Sequence, residues 1–146
     1  MGVAKFERFF RRAAGLDVHK NDLKRYNDFV NQKLYDLFVM ARGTAKANDR
    51  DVIQPRDLPI TKGLQDSMHR FRELDEEIEL QPLLDQIAAR PPLEIAVHED
   101  TDARLPEVAG GVSFALARVF KIVYPKKKSP SSEDWETVFE VFDQLI

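Results

Sequence analysis

Apolar residues recur at every third or fourth position along two long stretches of this chain. The clearer stripe ends at the polar run 48–51 and consists of Leu23, Tyr26, Val30, Leu34, Leu37 and Ala41. This spacing places the apolar side chains on one face of an α-helix. It predicts an amphipathic helix of about 27 residues and about 40 Å, at 1.5 Å per residue, with Asn21 as its N-cap. A helix of that length needs a cover from elsewhere in the chain.

Shorter helices are predicted on both sides of this long one. Residues 3–14 form the first, which ends at Gly15, a residue suited to a left-handed C-cap. After a brief extended segment at 52–54, Asp57 is the expected N-cap of the next helix, with Pro59 in its first turn. The residues expected to be buried on these two helices are Phe6, Phe9, Phe10, Ala13, Leu64, Met68, Phe71 and Leu74.

The second half of the chain repeats this order less cleanly. A helix ends at Arg90-Pro91-Pro92, because proline disfavours helical geometry in the residue before it. The stretch 92–102 is predicted to be a loop with a possible strand at 93–97, and a second long helix begins near 101–105. The apolar stripes of these two helices comprise Leu80, Leu83, Leu84, Ile87 and Ala88, and then Leu105, Val108, Val112, Ala115, Leu116, Val119 and Val123.

Three local features make the predicted helices of the second half more specific. Pro106 is expected in the first turn of the second long helix, and Gly110 and Gly111 lie inside it. Two interior glycines cost about 2 kcal/mol of helix propensity, which predicts that another helix crosses closely at that point. Ser131 and Asp134 have the spacing of a capping box for a last helix. That helix is expected to bury Trp135, Val138, Phe139, Phe142 and Leu145.

The order of short helix, long helix, loop with a brief strand and further helix resembles the histone fold. Residues 48–58 are similar to the second loop and third-helix start of archaeal histones, in which an Arg clamps an Asp seven residues later. Arg50 and Asp57 match both the identities and the spacing. Residues 6–15 likewise resemble a histone first helix, in which an Arg at the place of Arg8 points towards the minor groove.

The whole chain resembles the bacterial family in which two histone folds are fused head to tail into a pseudodimer. The resemblance implies an all-α fold of two tandem histone folds, residues 1–75 and 76–146, packed in an intramolecular handshake as one intertwined domain. In the second, divergent half, Lys127 and Asp134 replace the Arg–Asp clamp. A single core also suits the length, because two separate cores of about 70 residues would each be marginal.

Composition excludes several function classes. The 146 residues include no cysteine, which rules out disulfides, thiolate metal sites and a cysteine nucleophile. No apolar stretch has the length of a signal peptide or of a membrane span. We therefore expect a soluble cytoplasmic protein with no membrane partner.

Candidate catalytic and metal-binding residues are few. His19, His69 and His98 are isolated, without the spacing that puts two ligands on one helical face. The run from His98 through Glu99 to Asp100 could hold a divalent cation through oxygen ligands, but a solvated acidic loop is the simpler interpretation. No Ser/His/Asp setting or Gly-rich phosphate loop stands out. We expect no catalysis, cofactor, metal ion or small-molecule substrate.

Charge is distributed unevenly, although the net charge is only -3. Residues 1–51 carry 11 Lys and Arg against 7 Asp and Glu, whereas residues 52–104 carry 6 against 12. The histone arrangement implies that Lys20 lies near residues 126–128 on one edge, which is then basic, while the other edge is acidic and the arginines of the first helix form a third patch between the two edges. The candidate DNA-contacting residues are Arg8, Arg11, Arg12, Lys20, Lys126, Lys127 and Lys128. They predict weak, salt-sensitive, sequence-independent binding to double-stranded DNA, as in a nucleoid-associated protein.

The residues of the opposite edge favour interpretations other than DNA binding. Arg50 is expected to face the acidic residues of the stretch 98–102, and Asp51 and Val52 stand where DNA-packaging histones have a Lys-Thr pair that touches phosphate. A solvated face is the alternative explanation of the basic residues. The alternative function is a histone-fold protein-interaction module that has lost DNA binding and whose acidic middle recognises a basic protein or a second copy of itself.

Overall fold

Helices account for most of the chain, so the predicted all-α class is confirmed. The computed structural model describes residues 2–87 and 95–145. Two single-turn 3₁₀ helices span Lys20–Asp22 and Pro55–Asp57. The α-helices and strands within the described residues are, in chain order, α1 (Gly2–Ala14), α2 (Leu23–Ala47), β1 (Val52–Ile53), α3 (Lys62–Ile78), α4 (Gln81–Ile87), β2 (Ala96–Val97), α5 (Glu99–Ala103), α6 (Leu105–Val123) and α7 (Ser132–Leu145).

Helix α1 ends as predicted, but α2 begins later than Asn21. Gly15 follows α1 with φ of 63°, in the left-handed region that glycine occupies without steric cost. The expected N-cap role of Asn21 is wrong. A 3₁₀ turn precedes α2, and the Asp22 carboxylate accepts a hydrogen bond of 3.0 Å from the backbone N–H of His19. Asp22 therefore orders this turn, while Asn21 is exposed inside it.

Helix α3 is capped by Thr61 and not by Asp57, so that prediction is also wrong. Thr61 Oγ1 accepts a hydrogen bond of 3.1 Å from the backbone N–H of Leu64. Pro59 lies before the helix and not in its first turn. The reason is local, because proline disfavours the helical region in its predecessor, and Leu58 is extended with ψ of 127°.

Helix α3 crosses α6 at the paired glycines. A Cβ atom built on Gly110 would overlap the ring of Phe71, and one built on Gly111 would overlap the side chain of Met68. The predicted close crossing is therefore confirmed, and the crossing helix is α3. Pro106 occupies the first turn of α6, also as predicted.

The stretch before α6 contains more structure than predicted. The strand Ala96–Val97 falls within the expected 93–97 segment, but the short helix α5 lies where a loop was predicted. His98 caps α5, because its Nδ1 accepts a hydrogen bond of 3.0 Å from the backbone N–H of Asp100. The predicted helix stop at Arg90-Pro91-Pro92 and the burial of Ala88 lie outside the described residues.

One hydrophobic core contains residues of α1, α2, α3, α4, α6 and α7. The Phe29 and Phe139 rings stack at 4.4 Å between α2 and α7, although Phe139 is only partly buried. The predicted burial of Leu145 is wrong, because this residue is 74% exposed at the last turn of α7. Among the residues predicted to be apolar anchors, those confirmed as fully or nearly buried include Phe6, Phe9, Phe10, Leu64, Met68, Phe71, Trp135, Val138 and Phe142.

The two ends of the helical pair α2 and α6 are joined through their loops. Strands β1 and β2 pair in parallel, with Val52 opposite Ala96 and Ile53 opposite Val97. At the other end, the backbone N–H of Asp17 donates a hydrogen bond of 2.6 Å to the carbonyl oxygen of Lys128. The loop before α2 therefore lies beside the loop after α6, and the loop after α2 lies beside the segment before α5.

Candidate nucleic-acid interface

An arginine clamp fixes the loop that follows α2. The Arg50 guanidinium donates two hydrogen bonds to the Asp57 carboxylate, of 2.5 and 2.6 Å. Asp57 is buried and also accepts from the backbone N–H of Gln54 at 2.8 Å. The hydrogen bonds from Arg50 lower the pKa of Asp57 below its ordinary value, and the same contact raises the pKa of Arg50. The structure therefore brings together the two residues that were predicted to form a clamp.

A lysine clamp fixes the loop that follows α6 in the same way. Lys127 Nζ lies 2.6 Å from a carboxylate oxygen of Asp134, which also accepts from the backbone N–H of Ser131 at 2.8 Å. The Ser131 hydroxyl accepts in return from the backbone N–H of Asp134, which confirms the capping box. Burial opposes ionisation of Asp134, but the hydrogen bonds from Lys127 and Ser131 outweigh it and lower its pKa. Lys127 is therefore held in the loop and has a raised pKa.

Basic side chains collect where the loops at residues 15–22 and 124–131 meet. The lysines of these loops are exposed, and apart from Lys127, which Asp134 binds, none has an ion-pair partner among the residues that the structure describes. Lys121, at the end of α6, belongs to this group, because its Nζ lies 3.8 Å from the position that a Cβ on Gly15 would occupy. We call this group the basic edge, and it consists of Lys20, Lys121, Lys126 and Lys128.

Sequence reasoning did not single out Lys121, and it gave Lys127 two roles. A usable signal for Lys121 was its place in the last turn of α6, directly before the lysine-rich loop. Lys127 was predicted both as a DNA contact and as a replacement for the clamp arginine. Its pairing with Asp134 favours the second role, because a paired cation has less charge to offer phosphate.

The three arginines predicted on α1 have different surroundings. Arg8 is exposed, with no ion-pair partner in residues 2–87 and 95–145. Arg11 Nε lies 3.4 Å from Asp17, which places it beside the basic edge. Arg12 pairs with Glu77 of α3 at 2.7 Å, so its side chain is directed towards α3 and not towards the basic edge. Both pairs are exposed, and exposed pairs contribute only about 0–1 kcal/mol.

The opposite edge is formed by β1, β2 and residues 98–100, and there the Arg50 side chain binds Asp57 and not the acidic residues of 98–102 that it was expected to face. The backbone N–H of His98 and the Thr101 hydroxyl both donate to the carbonyl oxygen of Ile53, at 3.0 and 2.9 Å. The described residues contain no group of three or more side chains suited to hold a metal ion. Arg56 and Arg104, which sequence reasoning did not single out, line a cleft of about 260 Å³ beside this edge.

Two buried polar contacts tie α2 to the second half of the chain. The Tyr26 and Ser113 hydroxyls are 2.6 Å apart, and Ser113 also donates to the carbonyl oxygen of Ala109 at 2.7 Å. Since Ser113 has one hydroxyl proton, Tyr26 is the donor. Burial raises the pKa of Tyr26 above its ordinary value.

The second contact is an ion pair. The Lys33 side chain, only 3% exposed, pairs with Asp143 of α7.

Comparison with other proteins places the chain in a family. Residues 6–143 match the model of a family described as a domain of unknown function, DUF1931. The chain belongs to this family. An uncharacterised protein of Aquifex aeolicus is 30% identical to this DUF1931 chain over 145 residues, 99% of this chain and 84% of the relative. A second uncharacterised protein of the same organism is 28% identical over 141 residues, 88% of this chain and 82% of that relative.

Solved structures share the fold of this DUF1931 chain. A crystal structure of a protein from Thermus thermophilus matches with a TM-score of 0.86 and 52% identity, covering 99% of this chain and 97% of that one. A crystal structure of a protein from Aquifex aeolicus matches with a TM-score of 0.87 and 29% identity, covering 99% and 95%.

A helix that crosses a bilayer must be both long and apolar. No helix in residues 2–87 or 95–145 is both long enough and apolar enough to cross a bilayer.

Proposed function

We propose that the chain is a fused pair of histone folds whose basic edge binds double-stranded DNA without sequence preference. The proposal of two fused halves is supported by the loops, which adjoin at both ends of α2 and α6. It is also supported by the two clamps. Arg50 with Asp57 and Lys127 with Asp134 have the same spacing, and each carboxylate accepts from a backbone N–H three residues earlier.

The observation that carries DNA binding is the hydrogen bond between Asp17 and Lys128. It brings the loop that contains Lys20 against the loop that contains Lys126 and Lys128, although the two are distant in sequence, and this supports a shared basic surface next to the last turn of α6. A run of unpaired, exposed cations attracts a polyanion, and each phosphate that is neutralised releases counterions. Backbone phosphates carry no sequence information, which is why the expected binding does not depend on base sequence.

The expected affinity for DNA is weak, because the rest of the protein surface offers phosphate little. The opposite edge exposes Asp49, Asp51, Glu99 and Asp100, which repel phosphate. A duplex would therefore contact the basic edge and Arg8 but not both edges. About four neutralised phosphates give a slope of log affinity against log salt of about -4.

A duplex titration tests this proposal. Fluorescence anisotropy of a labelled 30-base-pair duplex is measured at about 50 and about 200 mM salt with the native protein. The basic-edge variant carries Lys20→Ala, Lys126→Ala and Lys128→Ala. The matched control loses the same charge elsewhere, with Arg42→Ala, Lys46→Ala and Lys62→Ala at the far end of α2 and the start of α3.

The expected result is a loss of affinity of at least tenfold, with a shallower salt slope, only in the basic-edge variant. Equal loss in both triple variants would show that net charge and not this surface determines binding. No binding at the lower salt would contradict the DNA proposal outright. In that case the exposed carboxylates of the opposite edge favour the second candidate, a module that recognises a basic protein partner.

A further inference from the structure

The surface between α3, α6 and α7 carries an apolar groove of about 550 Å³. Its walls include Leu64 of α3, Phe114 and Val119 of α6, and Phe142 of α7. Two strongly exposed apolar side chains also line it, Ile122 at 73% and Leu145 at 74% exposure. In the described chain only four large hydrophobic side chains are exposed, and these two, the most exposed of the four, belong to this one groove.

Arginines from two helices line the same groove. Arg70 of α3 and Arg118 of α6 are exposed, and neither has an ion-pair partner in the described parts of the chain. Asp66 also lines the groove, but Lys62 neutralises it at 3.0 Å. The uncompensated charge at the groove is therefore positive.

The same two arginines continue towards α1. A second hollow of about 400 Å³ is lined by Arg70, Arg118 and also Arg12, and Arg12 is already paired with Glu77. Glu73 also lines this second hollow, beside His69 at 3.2 Å, so Arg70 and Arg118 together outweigh it by one positive charge. This net positive charge lies where the two hollows meet, next to the apolar walls and not on the basic edge. A ligand that binds at this junction needs apolar side chains to cover the walls and negative charge to pair with the arginines.

We propose that this groove is a docking site for an acidic amphipathic helix of a partner protein. Apolar side chains spaced by three and four along such a helix would cover Ile122, Leu145 and the walls, as in other helix-in-groove complexes. Carboxylates beside them would pair with Arg70 and Arg118. The wall of the groove formed by α3 and its N-cap, residues 61–70, is about 13 Å long at 1.5 Å per residue, which matches two to three turns of a bound helix.

Other occupants fit the groove less well. A DNA backbone would satisfy the arginines but leave the apolar walls in contact with water. A second copy of the chain would have to bring both apolar and acidic groups to the same place. The proposal is independent of DNA binding, because none of the basic-edge lysines lines the groove.

The test uses a yeast-displayed library of 18-residue helical peptides as the probe. Leu occupies fixed positions at i, i+4, i+7 and i+11, and the polar positions vary among Glu, Lys, Ser and Ala. Selection against the native protein is expected to enrich peptides with Glu at two or more positions flanking the leucines. Synthetic peptides from enriched clones are expected to bind at least tenfold more weakly to Arg70→Glu/Arg118→Glu and to Ile122→Asp. The charge-matched control Arg42→Glu/Lys46→Glu is expected to retain binding.

Several outcomes would overturn the proposal. They are the absence of enriched clones, enrichment without Glu, or equal binding to the groove variants and the control. Loss of duplex binding in the Arg70→Glu/Arg118→Glu variant, with no enriched peptide, would assign the arginines to DNA. Dimerisation of the native protein in sedimentation that Ile122→Asp abolishes would assign the groove to a second copy. Thermal unfolding by circular dichroism checks that every variant is folded.

Discussion

Asp17 and Lys128 are joined by a backbone hydrogen bond of 2.6 Å, although one follows α1 and the other precedes α7. The contact places the loop before α2 against the loop after α6. At the other end of the molecule, Ile53 and Val97 are paired strand residues that join the remaining loops. Each junction lies next to a clamp, and each clamp fixes one of the two loops that meet there.

The first prediction concerns the buried carboxylate of the arginine clamp. Asp57→Ala is expected to lower the free energy of unfolding by about 3 kcal/mol, because it leaves the Arg50 guanidinium and the Gln54 N–H without their acceptor. Guanidinium chloride unfolding followed by Trp135 fluorescence measures the change. The control is Asp28→Ala, whose exposed pair with Lys24 is expected to contribute less than about 0.5 kcal/mol. Equal effects of the two variants would argue against a clamp.

The second prediction concerns acid stability. The folded-state pKa values of Asp57 and Asp134 lie below the ordinary value of 3.8. Each carboxylate therefore contributes stability that is fully present above its unfolded pKa and is lost as the pH falls through its folded pKa. We expect the native protein to lose stability steeply below about pH 4.

Single amide variants isolate this effect. Asp57→Asn and Asp134→Asn should each be less stable than the native protein at pH 7 and should approach it as the pH falls, because the native protein then loses the same charge. Unfolding free energies measured from pH 7 to pH 3 check the convergence. A constant difference across that range would mean that neither carboxylate has a lowered pKa in the folded protein.

The third prediction uses the glycines of α6. Gly111→Ala is expected to destabilise the protein by about 1–3 kcal/mol, because the new methyl group overlaps Met68 where α3 crosses. The matched control is Gly43→Ala in α2, where a Cβ would meet nothing within 4 Å. That change should stabilise the protein by about 0.5–1 kcal/mol through helix propensity alone. Thermal unfolding midpoints should therefore move in opposite directions, and a shared sign would contradict the close crossing.

Sequence patterns predicted the parts of the fold that depend on neighbours along the chain. The stripe of α2, the capping box at Ser131 and the crossing at Gly111 all follow from spacing or from the lack of a side chain. Helix starts were less predictable where several caps compete. Thr61 and Asp57 can both accept from a backbone N–H, and the proline between them decides which residue begins α3.

The candidate surfaces were less predictable because they depend on contacts distant in sequence. Nothing in the spacing of α1 indicated that Arg12 would pair with Glu77, or that Arg8 would have no ion-pair partner among the described residues. Leu145 continues the apolar stripe of α7, yet no described element covers it. Whether a stripe residue lies in the core or lines a groove depends on how far its neighbouring helices extend, which periodicity does not report.

The last prediction concerns the hydroxyl pair between α2 and α6. Tyr26→Phe removes a donor, and the Ser113 hydroxyl keeps its own bond to the carbonyl oxygen of Ala109. The expected cost is about 1 kcal/mol. Ser113→Ala removes the acceptor and leaves the buried Tyr26 hydroxyl unpaired, so we expect a larger cost of about 2 kcal/mol. The control Tyr35→Phe, on a residue that is 40% exposed, should change little.

A double variant tests the direction of this hydrogen bond. Tyr26→Phe combined with Ser113→Ala should cost less than the sum of the two single changes, because no unpaired phenol remains in the core. Urea unfolding of the four proteins in the cycle gives the interaction energy. If Tyr26→Phe proved more costly than Ser113→Ala, the serine would be the donor. The bond between Ser113 and Ala109 would then have to be absent, since one hydroxyl proton cannot serve both acceptors.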